Sequence, residues 1–79
     1  MNIQKIRDIL SSHGRLTSDV STLSDSSDLY QAGLTSLATV GLMLALEDAF
    51  DIEFPDSALS RQTFSSIESI ADTIEDLLE

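Results

Sequence analysis

The amino-acid sequence predicts an all-α fold, a small bundle of three main helices plus one short helix, from three observations. Apolar residues recur at helical spacing in three separate stretches. No pair of alternating apolar runs is joined by a hairpin signal. With 79 residues, the chain has room for one thin core, because a chain near this size buries only roughly 60% of its unfolded surface. No internal repeat is present and no linker is long enough to divide the chain, so residues 1–79 read as a single domain.

Ile3, Ile6 and Leu10 follow the i, i+3, i+7 spacing of one helical face, and Gly14 supplies a stop after His13. From Arg15 to Tyr30 the composition changes to Ser, Thr and Asp, with isolated Leu16, Val20, Leu23, Leu29 and Tyr30. So long a connection is uncommon in a compact domain, and these apolar residues are expected to anchor it over the core. Within it, Ser24-Asp25-Ser26-Ser27-Asp28 offers a turn or a cap.

Gly33 then gives a flexible turn ahead of the most apolar stretch, Leu37 to Leu46, in which Thr39 is the only polar side chain. Leu37, Val40 and Leu44 share one helical face, Leu42, Leu46 and Phe50 a neighbouring one, and Ala38, Gly41 and Ala45 form a small uncharged remainder. Such a helix belongs at the centre of the core with little exposure, or else offers its small face to a partner. Ten residues of helix span about 15 Å, too little to cross a membrane. Pro55 prevents the helix from continuing through Phe54, and Asp56 to Arg61 suffices only for a short helix or an irregular link. In the last helix, Ser65 and Glu68 make a capping-box pattern, and Ile67, Ile70, Ala71, Ile74, Leu77 and Leu78 keep to one face.

Composition narrows the function. The chain has 14 acidic and 4 basic residues and a formal charge of -10. Lys5, Arg7 and Arg15 outnumber Asp8 in the first fifteen residues, whereas from Leu16 onward Arg61 stands alone against thirteen acids. That surface repels nucleic acid and anionic lipid, so the expected partner is a protein with a basic patch. The absence of cysteine excludes disulfides, thiolate metal sites and a protein thiol nucleophile, so any thiol chemistry needs a borrowed thiol. The first residues never reach a signal-peptide core, which makes the cytoplasm the expected compartment. The chain is expected to act as a monomer.

Few chemical constellations survive inspection. His13, the only histidine, sits near the end of the first helix, where a surface role outweighs acid-base work. Gly33-Leu34-Thr35-Ser36-Leu37-Ala38 misses the Gly-x-Ser-x-Gly elbow, because neither Leu34 nor Ala38 is glycine. The acids Asp48, Asp51, Glu53 and Asp56 lack the order of a calcium loop. No catalytic residue and no metal ligand is therefore assigned. Ser36 stands out by position, where the Gly33 turn meets the start of the most apolar helix, an end that favours an attached phosphate. The competing reading makes Ser36 or Thr35 simply the N-cap.

The stretch from Asp28 to Leu37, with Leu44 to Asp56 after it, resembles the acyl carrier protein family in size, acidity, long first loop and last helix along almost the whole chain. The resemblance implies the acyl-carrier fold and a single carrier domain over 1–79. It implies that a phosphopantetheinyl transferase uses coenzyme A to place a covalent 4'-phosphopantetheine on Ser36. The arm ends in the borrowed thiol, which holds an acyl or aminoacyl group as a thioester and shelters it between helices. Glu47, Asp48, Asp51, Glu53 and Asp56 resemble the family's acidic docking patch, expected beside Ser36, and Thr35, Leu37 and Val40 complete the expected docking set.

Two departures bear on the partners. Thr35 stands where fatty-acid carriers commonly have aspartate, and Ala38 and Gly41 stand where they are often acidic. The Gly33-Leu34-Thr35-Ser36-Leu37 form and the segment from Phe50 to Asp56 are similar to those of discrete, specialised carriers, one group of which is the small bacterial aminoacyl carriers that a stand-alone ligase loads with glycine or alanine; a polyketide, peptide or lipid-modification carrier is the other subtype. The chain's implied partners are the transferase, an acyl- or aminoacyl-loading ligase, and a downstream acyltransferase or synthase. The alternative from a different class is an acidic helical adaptor without a prosthetic group, with a divalent-ion sensor third.

Overall fold

The computed structural model describes residues 3–13, 16 and 19–78. Among them three α-helices form, α1 (Ile3–His13), α2 (Ser36–Phe50) and α3 (Ile67–Leu78), with short 3₁₀ turns at Val20–Thr22 and Asp56–Ala58. No strand occurs among the described residues. The three main helices and the short one after Pro55 are those expected from the sequence; the additional turn at Val20–Thr22 is not. The stop assigned to Gly14 lies outside the described residues.

α1 lies against both α2 and α3, whose mutual contact is slighter. Ile6 and Leu10 from α1, Ala38, Leu42 and Leu46 from α2, and Ile67, Ile70, Ala71 and Ile74 from α3 make one buried cluster. Phe54 and Phe64 close it beneath the α2–α3 connection, their rings 5.6 Å apart at 58°, a tilted pair that aromatic quadrupoles favour.

The long first loop is anchored by apolar side chains and also by a cation. Leu29 is buried, and Leu16, Val20, Leu23 and Tyr30 pack on the core's edge. Arg7 of α1 donates to the carbonyls of Val20 (3.0 Å) and Leu23 (2.8 Å), and pairs with Asp25 at 2.9 Å. Its fork supplies a donor to the Leu23 carbonyl and a second donor to the Val20 carbonyl, which also accepts from Leu23 N–H at 3.1 Å. Asp28 accepts from the N–H of Tyr30 at 2.9 Å, capping a single helical turn that closes with Ala32 N–H on Asp28 C=O at 3.2 Å.

Three expectations need correction. The α3 cap is Ser66, whose hydroxyl accepts from Ser69 N–H at 3.1 Å; Ser65 instead donates to Gln62 C=O at 2.7 Å. The capping box at Ser65 and Glu68 is displaced because the Gln62–Ser65 turn engages Ser65 and the Glu68 N–H is taken by Asp25 C=O at 2.9 Å. Nor is α2 a fully buried core helix: Leu37 is 82% exposed, Leu44 56% and Val40 52%. Among the described residues two other helices are available to cover it, and the core they share with it takes Leu42 and Leu46. Leu78, assigned to the buried face of α3, is likewise half exposed in the last turn.

Candidate functional site

The site begins with Gly33. Its φ of 112° is a conformation that only glycine adopts readily. This turns the chain after the Asp28 helical turn, so that Leu34 enters the core and the next residues emerge at the head of α2. Leu34 N–H returns to Leu29 C=O at 2.9 Å and locks the reversal.

Thr35 then takes the capping role that the sequence left open between it and Ser36. Its backbone is extended, and its hydroxyl accepts from Ala38 N–H at 3.0 Å while its carbonyl accepts from Thr39 N–H at 2.9 Å. Ser36 is thereby released. It is the first helical residue, its side chain is exposed, and its hydroxyl makes no hydrogen bond among the described residues. The N–H groups of Ser36 and Leu37 have no acceptor among the described residues either, as the first turn of a helix requires. An exposed hydroxyl ahead of unsatisfied N–H groups fits a phosphodiester, which would accept from them.

Ser36 also lines a mainly apolar pocket of about 340 Å³. One wall is α2, through Thr39, Val40 and Met43; another is the segment leading to α3, through Leu59, Arg61 and Phe64; Tyr30 joins from the loop. Such a cleft can shelter a small group tethered at its rim. Tyr30 and Arg61 were not assigned to the site from sequence. In the sequence Arg61 is a solitary cation among acids, thirty residues separate it from Tyr30, and no local pattern joins them to Ser36.

The expected docking residues divide into three. Leu37 and Val40 lie exposed on one face with Gly41 and Leu44. A Cβ placed on Gly41 would meet nothing within 4 Å, so packing inside this chain does not explain the glycine. Asp48, Asp51, Glu53 and Asp56 are exposed, Asp48 in the last turn of α2 and the others in the link that follows it. Asp48 lies twelve residues beyond Ser36, about 18 Å along the helix, and the exposed α2 residues next to Ser36, Leu37 and Val40, are apolar. Glu47 differs from the rest: half-buried, it accepts from Phe54 N–H at 2.9 Å and ties the chain leaving α2. Asp51 also has a backbone duty, holding the left-handed C-cap at φ 53° and donating its N–H to Glu47 C=O. His13 is exposed at the end of α1. No group of three or more His, Cys, Asp or Glu among the described residues is arranged to hold a metal ion, and no helix of theirs is long and apolar enough to cross a membrane.

Comparison with known proteins agrees with this geometry. The family described as "Phosphopantetheine attachment site" matches residues 4–74. An aminoacyl carrier protein of Agrobacterium fabrum is 53% identical over 74 residues, covering 94% of this chain and 89% of the relative. A carrier protein from Agrobacterium tumefaciens, solved with an engineered Bradyrhizobium japonicum glycine:[carrier protein] ligase and ATP, superimposes with a TM-score of 0.91 at 51% identity, over 95% of this chain and 97% of that one. The holo acyl carrier protein of Nitrosomonas europaea aligns at 34% identity with a TM-score of 0.86, over 99% and 96% of the two chains.

Proposed function

The chain belongs to the phosphopantetheine attachment family, and from that premise we propose that it is an aminoacyl carrier whose arm is attached at Ser36. It is a carrier protein and not an enzyme, and its cofactor is a covalent 4'-phosphopantetheine. The group's thiol supplies the thioester chemistry that a cysteine-free chain lacks. Everything else is done by the protein's own residues. Thr35 satisfies the helix end and leaves the Ser36 hydroxyl outward for a phosphopantetheinyl transferase. The apolar pocket next to it offers a small cargo partial protection from water.

The single observation that carries the attachment reading is the exposed Ser36 hydroxyl at the head of α2, released by the Thr35 cap. An aminoacyl cargo such as glycine or alanine is supported by the likeness to the Agrobacterium carrier solved with a glycine:[carrier protein] ligase. On this reading a stand-alone ligase of that kind loads the thiol, a downstream acyltransferase or synthase unloads it, and all act on a monomer in the cytoplasm. Docking involves the apolar face of Leu37 and Val40 with Thr35 at its edge. The exposed acids Asp48, Asp51, Glu53 and Asp56 steer the approach from a distance, an effect larger on association rate than on tightness. Glu47 contributes through the shape of the α2 exit.

The test is intact mass after incubation with coenzyme A, magnesium and a broad-specificity phosphopantetheinyl transferase. The expected gain is one phosphopantetheine, absent in Ser36→Ala, followed by a further glycyl or alanyl gain on addition of the ligase and ATP. A wild-type mass that stays unmodified, or a Ser36→Ala protein that is still modified, would overturn the attachment. Modification without aminoacyl loading would overturn only the cargo.

A further inference from the structure

We propose that Arg61, laid on the ring of Tyr30, recognises the phosphodiester of the arm; this rests on the attachment at Ser36 proposed above. The Arg61 guanidinium carbon lies 3.9 Å from the Tyr30 ring centre, and the Tyr30 hydroxyl donates to the Arg61 carbonyl at 3.2 Å. One tyrosine therefore positions this residue by both its side chain and its backbone. The stacking face of a guanidinium is separate from its N–H edge, so the contact orients the fork without consuming its donors.

The second observation is what Arg61 lacks. The chain has 14 acidic residues, yet the ion pair found among the described residues is Arg7 with Asp25, and Arg61 meets no carboxylate there. The third is its location, since Arg61, Tyr30 and Ser36 all line the same pocket. A phosphodiester on Ser36 brings an anion to this pocket. A planar fork matches two phosphate oxygens in a way that a lysine's point charge does not. Arg61 thus tethers the root of the arm at the pocket mouth, while the thiol end remains available to partners.

The experiment uses the full chain, unmodified and modified on Ser36, as wild type, Arg61→Gln and Arg61→Lys. In the modified wild type the ³¹P resonance is expected to lie away from that of a free phosphopantetheine diester and to return toward it as salt is raised. In Arg61→Gln it should sit near the free value at all salt concentrations, and in Arg61→Lys most of the displacement should be lost. The Arg61 side chain is exposed, so the unmodified variants should keep the wild-type amide spectrum away from the pocket. An Arg61→Gln resonance with the wild-type position and salt response would overturn the proposal, and a full wild-type response in Arg61→Lys would overturn the role of the fork. If coenzyme A adds no mass to Ser36, both this inference and the attachment fall; a normal mass gain with an unmoved resonance defeats this inference alone.

Discussion

α2 and α3 are helices of similar length in one small bundle, yet they serve opposite ends. Along α3 the apolar side chains Ile67, Ile70 and Ile74 are fully buried and Glu68, Asp72, Glu75 and Asp76 face solvent. This is the stripe expected of a helix whose task is the core. Along α2 the apolar residues go nearly all the way round, and Leu37, Val40 and Leu44 remain exposed on this helix, whose first residue is Ser36. Burial of those three would have stabilised the domain by the usual hydrophobic increment. Their exposure leaves a contiguous apolar face, a feature that marks interaction surfaces in small proteins. α3 gives its apolar face wholly to the core, whereas α2 divides its apolar residues between the core and an exposed face.

Substitutions can break or sharpen this contrast. The largest effect is expected from Ile70→Ala on α3, where emptying a fully buried site should cost about 2–5 kcal/mol in chemical denaturation. A loss well under 1 kcal/mol would mean that α3 does not carry the core.

Next, Gly41→Ala on α2 should raise stability by about 1 kcal/mol, because alanine is the better helix former and the added methyl meets nothing. The same variant should weaken loading by the ligase if a partner approaches closely at this glycine. Higher stability together with slower loading separates folding from docking on this face.

The smallest effect on stability is expected from Leu37→Ala, within about 0.5 kcal/mol for a residue 82% exposed. Its kcat/KM for aminoacyl loading should nevertheless fall, while Ile70→Ala measured where it remains folded should load normally. Equal loading by wild type and Leu37→Ala would remove the apolar docking face.

Much of this architecture was legible in the sequence, for local reasons. The spacing of Ile67, Ile70 and Ile74 dictates an amphipathic α3, Pro55 dictates the break after α2, and Gly33 dictates a turn that only glycine makes readily. The position of Ser36 at the head of a helix follows from the same local signals. The cap was only half legible, since Thr35 and Ser36 are both good N-caps and backbone geometry alone chose Thr35. Ser65 and Ser66 are equally good cap candidates by residue type, and the Gln62–Ser65 turn together with the Asp25 carbonyl on Glu68 N–H decides for Ser66.

Long-range features were not legible at all. Arg7 bridging to Val20, Leu23 and Asp25, Glu47 capping Phe54 N–H, and Arg61 stacking on Tyr30 all join residues that no periodicity relates.

The sequence by itself determined the helices, the turn that presents Ser36, the lack of any cysteine and the uneven charge. These depend on residue type and on neighbours within a turn or two. Only the tertiary structure decided which side of α2 meets solvent, because a helix apolar on nearly every side has no preferred inward face until α1 packs against one of them. It also decided that the single cation of the acidic region falls into the pocket at Ser36, since the path of the link after Pro55 sets its position.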